Sequence, residues 1–417
     1  MSKARNLSNT IRINSAVTIP SGTTAERPAN PAIGTTRYNT DTDCLENYTA
    51  TGWLKVSIPL PTITSISGTI YAGVASTLTF AGTKFGTGQG VVTFISGATS
   101  ATVNVTPSSD SALSVSVPAA IYGLSGGTSV DIKFTNSDNG VSNTIAKTVQ
   151  SLPTGGTITT ASGYRYHTFN SSSDFVVPSG FTATADYLVV AGGGGGGRYG
   201  GGAGAGGYRS VTGYSLSAST TSITIGAGGA GWVGDAQSGG NGGTGGNSSF
   251  GAITVSNGGG GGGNYGNPTG SGGASGGSGG GAGTSNGGGS LSGGSGTSGQ
   301  GNAGGSATGN PGVSHGGGGG GASVAGASGT STGQGGNGST WLNGTTYAGG
   351  GSGSQITTNL AGGTGGGGTG FTHGVARTSA IDGVANTGGG GGGGRDNAPS
   401  AGNGGSGIVI IRYAIPT

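Results

Sequence analysis

The chain has one cysteine, Cys44, in 417 residues, so an intrachain disulfide framework is excluded. Charge is equally scarce. Charged side chains make up 6 % of the residues, against about 25 % in an ordinary globular protein, and no lysine follows Lys147. The formal net charge is +3 and the pI is near 9.0 because charges of both signs are few. Nucleic-acid binding needs clustered Lys and Arg, and the composition speaks against it. No run approaches the about 18 apolar residues of a membrane span, so membrane insertion is not expected. The first residues, Met1 to Val17, carry charge but no apolar core of a secretory signal, and none is expected. Hydrophobic residues reach only 30 %. A conventional core therefore cannot run through the whole chain.

Glycine is what the sequence has, at 108 positions. Glycine loses the most backbone entropy on ordering and brings no side chain to bury. Composition divides the chain into three zones. Residues 1–58 are mixed and hold both glutamates, Glu26 and Glu46. Residues 59–153 are rich in Thr, Ser, Val and Ile with alternating apolar positions, and residues 154–417 are dominated by glycine. Proline-bearing joints at Pro59-Leu60-Pro61 and Leu152-Pro153 separate them. Period-two runs prevail over helical spacing, so the expected class is all-β: a small hairpin module, an immunoglobulin-like sandwich, and a β-sandwich carrying glycine-rich excursions.

In the first zone Ile11–Ile13 and Val17–Ile19 read as short extended pieces. The segment from Gly34 to Tyr48 reads as a hairpin turning at Asn39–Asp43, with a second turn before Trp53. Two or three short strands bury little, so Tyr38, Leu45, Tyr48 and Trp53 call for oligomerisation, a threefold assembly being the first expectation. Asp41 and Asp43 are too few for an oxygen-ligand cation site and read as turn formers. The second zone predicts seven strands: Pro61–Ser67, Ser76–Phe80, Gly90–Ile95, Ala101–Val105, Leu113–Val117, Val130–Phe134 and Thr144–Val149.

In the third zone the strands Leu188–Val190 and Ile408–Ile411 are apolar at consecutive positions, which predicts burial of both faces and pairing at the domain's centre. Between them lie glycine runs at 192–197, 258–263, 316–321 and 388–394. Their irregular spacing and the chain's 13 prolines exclude collagen. A phosphate-cradling loop needs a lysine that this zone lacks. A flexible linker is the alternative, but the runs sit between apolar strands of one domain, where long unstructured loops are unusual. The expectation is polyglycine-II-type excursions, extended glycine helices of three residues per turn packed side by side through main-chain bonds.

Catalysis finds little support. His167, His315 and His373 have no partners at metal-ligand spacing. The zone's carboxylates, Asp174, Asp186, Asp235, Asp382 and Asp396, are far apart in sequence, whereas a glycosidase needs two that converge. No catalytic residue, metal or cofactor is expected. Large side chains that interrupt the glycine tracts are costly inside a close-packed lattice, so they are expected at its edges or loop tips: Tyr199, Tyr208, Trp232, Tyr265, Trp341, Asn343, Tyr347, Phe371, His373 and Arg395. Exposed aromatics, Asn and Arg suit adhesion. The alternative for Trp341 and Tyr347 is a small local core or a subunit seam.

The pattern from Gly34 to Trp53 (GxxRYNTDTxxLExYxxxxW) resembles a short module of phage tail-fibre and other virion surface proteins. Gly73, Leu78–Phe80 and Gly82-Thr83-Lys84-Phe85-Gly86 resemble the opening of IPT/TIG-type domains. The combination DYLVVAGGGGGG, TSITIGAGG, NSSFGAITVSNGGGGGG and GGSGIVIIRY resembles the glycine-rich domain of phage tail-fibre proteins over roughly residues 160–415. These resemblances imply a virion-surface fibre protein assembled in the host cytoplasm, placed on the tail rather than the capsid. They imply a homotrimer bound to other virion proteins through residues 1–58, and loops that bind a host-surface glycan or outer-membrane protein. The alternatives are a structural head fibre, capsid decoration or baseplate appendage, and third a glycan depolymerase.

Overall fold

The computed structural model describes residues 18–56, 60–234, 240–266, 270–309, 315–354, 360–372, 380–395 and 400–415. The chain forms two compact units, one ending at Ser151 and the other spanning Leu152–Ile415. Both are built from β-strands, as the period-two patterning requires. The predicted piece Ile11–Ile13 lies outside the described residues. So do Val17, His373, Asp235, Asp396 and Pro59.

The first unit opens with a four-stranded sheet in the order β1 (Ser21–Gly22), β2 (Thr36–Asn39), β3 (Cys44–Thr49) and β4 (Gly52–Lys55). β2 and β3 form the expected hairpin, with Asn39 opposite Cys44 and Asp43 at positive φ in the turn. Its buried face is polar. Arg37, Asn39 and Glu46 are buried with Cys44, while Tyr38, Leu45, Tyr48 and Trp53 are only half-buried. Glu46 is held by Arg27 at 2.6 Å and by Asn39 Nδ2 at 3.1 Å, with Arg37 at 3.6 Å. The bond from Arg27, against the cost of burial, holds its carboxyl below the usual carboxylate range. The small sheet is thus centred on a charged network, and its four large apolar and aromatic side chains stay half-buried, as expected of so few short strands.

The same unit continues into an immunoglobulin-like sandwich. One sheet runs β10 (Ala112–Ser116), β7 (Thr77–Thr83), β5 (Thr62–Ser67). The other runs β6 (Ile70–Tyr71), β12 (Ile145–Gln150), β11 (Ser129–Thr135), β8 (Gly90–Ser96), β9 (Thr99–Val105). Alternation places Leu78, Phe80, Val92, Phe94, Leu113, Ile132 and Phe134 in one core between them. One helical turn, α1 (Ala119–Tyr122), starts after Pro118 and buries Ile121. Lys55 pairs with Asp138 and Lys84 with Asp43, so each partner of the unit supplies one cation and one anion to the other.

The second unit is a two-layer sandwich. Its five-stranded sheet has the order β13 (Thr157–Ala161), β14 (Tyr164–Phe169), β25 (Ile408–Ala414), β16 (Ala183–Val190), β17 (Tyr208–Leu216). Its four-stranded sheet has the order β15 (Ser173–Val177), β18 (Ser219–Thr224), β19 (Ser248–Phe250), β20 (Thr254–Ser256). The closing strand inserts between β14 and β16, with Leu188 opposite Ile410 and Val190 opposite Ile408. This is the central pairing expected from consecutive apolar residues, and both faces are covered. On one face His167, Phe169, Phe175, Tyr187, Phe250 and Tyr413 meet edge-to-face or stacked, with ring separations of 5.0 to 6.3 Å. On the other, Tyr166, Leu188, Val190, Ile408 and Ile410 pack against Ala205, Trp341, Tyr347 and Ala348 from the glycine-rich segments. Two short hairpins complete the strands: β21 (Ser290–Leu291) with β22 (Ala307–Thr308), and β23 (Ser339–Thr340) with β24 (Thr346–Tyr347).

The glycine runs extend the sandwich. β16 passes at Ala191 into residues 192–197, residues 201–207 enter β17, and residues 402–407 enter β25. Within run 192–197 the amide N–H groups address three neighbours in rotation. Gly192 and Gly195 donate to Gly246 and Gly243, Gly193 and Gly196 to Gly405 and Gly402, and Gly194 and Gly197 to Gly204 and Gly201, all at 2.8 to 3.1 Å. Every third residue meets the same neighbour, which is the signature of an extended helix with three residues per turn. Runs 202–207 and 316–321 repeat the pattern, Gly202 and Ala205 donating to Gly317 and Gly320. The linker reading is thereby overturned. The runs are buried and their amides are paired with other runs, because only chains without side chains approach closely enough for backbone to solvate backbone. A Cβ on Gly195 would lie 2.0 Å from the Ala230 carbonyl oxygen, and one on Gly196 2.0 Å from that of Gly392.

Candidate functional site

The direction of the runs decides which interruptions meet. Residues 229–232, 259–265 and 391–395 run parallel to 192–197. Gly229 and Trp232 donate to Gly193 and Gly196, Gly262 and Tyr265 to Gly195 and Arg198, and Gly391 and Gly394 to Gly194 and Gly197. All four segments therefore leave the lattice at the same end, and the bulky residues that follow each run gather there. Tyr199 and Tyr265 lie 5.4 Å apart, ring to ring. The Arg198 guanidinium lies 4.9 Å from the Tyr199 ring centre and 5.2 Å from that of Trp232. Arg395 follows Gly394 in register with Arg198, and burial pulls its pKa below the usual guanidinium value. Phe371 is buried beside this end, its N–H donating to Gly393. Tyr199, Trp232, Tyr265 and Arg395 are each half-buried, and Tyr199 takes φ +45°, a left-handed turn that a non-glycine residue seldom adopts.

The other candidates lie elsewhere. Tyr208 opens β17 and is half-buried, burial raising its phenol pKa. Trp341, Asn343 and Tyr347 belong to the hairpin β23–β24, which folds onto the five-stranded sheet. Trp341 is 4 % exposed and Tyr347 5 %. Of the two readings open for these residues, the local core is the one found and the loop tip is not: both rings join it, since the sheet's outer face needs a cover that glycine cannot supply. Trp341 Nε1 donates to Ser210 Oγ at 3.1 Å, and Asn343 Nδ2 to the Tyr347 hydroxyl at 2.9 Å.

Arg412 is the residue that sequence reasoning passed over. It stands in the apolar strand β25 and bonds Asp186 at 3.0 Å, the Leu342 carbonyl at 3.2 Å and the Tyr166 hydroxyl at 3.4 Å. Its guanidinium lies 4.2 Å from the Tyr164 ring centre and 5.7 Å from that of Trp341. Burial alone would lower its pKa, yet the bonds to Tyr166 and Asp186 hold it above the usual value. A lone charge inside a strand otherwise apolar on both faces was the available signal.

His167 is fully buried. Its Nδ1 contacts the Gly155 carbonyl at 2.8 Å, its ring stacks on Tyr413 at 5.7 Å, and burial pulls its pKa down to about 4. Among the described residues no three His, Cys, Asp or Glu side chains converge as metal ligands. Asp186 is committed to Arg412, and Asp382 accepts from the Asn403 backbone at 2.7 Å.

These features define an all-β protein whose larger unit is a sandwich prolonged by a lattice of glycine helices. A glycine-rich domain family matches residues 167–414, and the chain belongs to that family. No curated protein matches it. Among solved structures, the FN1–FN3 domains of chicken CNTN1 align over 43 % of this chain and 69 % of that one, at 12 % identity and a TM-score of 0.18.

Proposed function

We propose that the chain is a bacteriophage virion fibre protein, of the tail-fibre type, that adheres to the host surface through the far end of its glycine lattice. The observation that carries this reading is the convergence of Tyr199, Trp232 and Tyr265 around Arg198 where parallel glycine runs end. A backbone-bonded lattice is a rigid mount, and rigid aromatic groups contribute contact area at low entropy cost. The ligand is a host-surface glycan or an outer-membrane protein. The half-buried Tyr38, Leu45, Tyr48 and Trp53 of the small N-terminal sheet favour a homotrimer joined there, with residues 1–58 attached to other virion proteins.

Purified full-length chain is expected to compete with particle adsorption to host cells, and Tyr199→Ala with Trp232→Ala to lose that competition at least tenfold. Absence of competition by the unaltered chain refutes the adhesive role. Gold-labelled antibody on particles separates the structural alternative, since label on the capsid identifies a head fibre or decoration. Clearing of host glycan by the isolated chain would instead identify a depolymerase.

A further inference from the structure

A groove of about 320 Å³ opens where the hairpin β23–β24 lies across the five-stranded sheet, and its lining shares no residue with the cluster around Arg198. Its floor is Tyr166 and Ile410. One wall is Tyr164, braced by the Arg412 guanidinium. The other is Leu342 and Asn343 at the hairpin tip, both exposed. Thr159 on β13, Thr168 on β14 and Ser162 in the turn between these strands bring hydroxyls to the rim.

Three properties limit what fits. The volume is at the lower end of small-molecule sites, which run from about 300 to 1,000 Å³. Among the described residues Arg412 is the only charged one in the lining, and Asp186 neutralises it at 3.0 Å, so an ionic ligand would meet no free counter-charge from them. The surface alternates ring and aliphatic patches with hydroxyl and amide groups, matching a pyranose, which has an apolar C–H face and a hydroxyl edge. The site is also held in place. Arg412 is bonded on three sides, Trp341 is tied to Ser210, and Asn343 is tied to Tyr347 and accepts from the Thr345 N–H at 3.0 Å. Binding would therefore order little that is not already ordered.

We infer that this groove binds an uncharged saccharide, at a site independent of the lattice tip. Saturation-transfer NMR on the full-length chain, with lactose, maltose and chitobiose as neutral probes and N-acetylneuraminic acid as the anionic one, tests it. At least one neutral disaccharide is expected to receive saturation, and the acid none. Ala161 is exposed on β13 at the groove's edge, so Ala161→Trp fills the space without disturbing the core. It is expected to cut the transfer at least tenfold, whereas Tyr199→Ala leaves it unchanged. Transfer to none of the three neutral sugars, transfer that survives Ala161→Trp, or transfer to the acid as strong as to the sugars would each overturn the inference. Adsorption competition is expected to survive Ala161→Trp, so the two sites fail separately.

Discussion

At the scale of single residues, identical glycines differ in what they tolerate. Gly195 faces the Ala230 carbonyl oxygen where its Cβ would stand, whereas Gly289 is exposed with open space around it. Gly195→Ala forces a shift of backbone against backbone and is expected to cost about 2 kcal/mol, in the range of core overpacking. Gly289→Ala is expected to be neutral or stabilising by about 0.5 kcal/mol through the unfolded chain. Urea unfolding of the two variants checks the contrast. His167 makes a second prediction. Its folded pKa of about 4 lies below its ordinary 6.5, so the unfolded chain binds the proton first. The stability that neutral His167 contributes is complete above about pH 6.5 and is lost as pH falls toward 4, by about 3 kcal/mol in all. His167→Asn is expected to remove that part of the slope of unfolding free energy against pH.

At the scale of elements, the hairpin β23–β24 shows why a glycine lattice still needs bulky residues. The five-stranded sheet has one face on the aromatic core and the other toward the glycine runs, and runs without side chains leave that face under-covered. Trp341 and Tyr347 fill the gap, and Arg412 latches them by bonding the Leu342 carbonyl and Asp186 together. Lysine in its place keeps the charge but loses the planar fork and the ring stacking. Arg412→Lys is expected to destabilise the unit by about 2 kcal/mol. With Trp53 and Trp232 replaced by Phe, the emission of Trp341 should shift to the red as the hairpin loosens. Emission unchanged in wavelength would show that the latch is not what holds it. The strands β16 and β25 were legible from their unbroken apolar runs. The hairpin was not, because Ser339–Tyr347 has too few periodic positions to announce a strand and its partner face lies far away in sequence.

At the scale of the whole molecule, the two compact units bury different things. The first contains a polar knot around Glu46 and an ordinary apolar sandwich core. The second contains an aromatic core and a lattice held by the backbone. Glu46→Gln leaves Arg27 and Arg37 without their buried anion, and breaking such a pair costs about 3 kcal/mol. Calorimetry of the full chain is expected to show two transitions. Glu46→Gln should lower one and His167→Asn, at neutral pH, the other. A single transition moved by both would mean that the units unfold together.

The sequence by itself determined the all-β class, the hairpin turning at Asn39–Asp43, the seven main strands of the immunoglobulin-like sandwich and the return of Ile408–Ile411 to the centre of the last domain. These follow from period-two burial, turn chemistry and apolar runs, which are properties of neighbouring residues. It also favoured a lattice over a linker, from the place of the runs between apolar strands, but left open which runs pair, since glycine carries no pattern of its own. Only the tertiary structure decided that question, because a glycine helix exists through the neighbours its N–H groups reach. Run 192–197 finds them at 201–204, 243–246 and 402–405. The same long-range pairing separated the interruptions, sending Tyr199, Trp232 and Tyr265 to one end and Trp341 and Tyr347 into the core. Which way a run points is a property of the lattice and not of the residues within it.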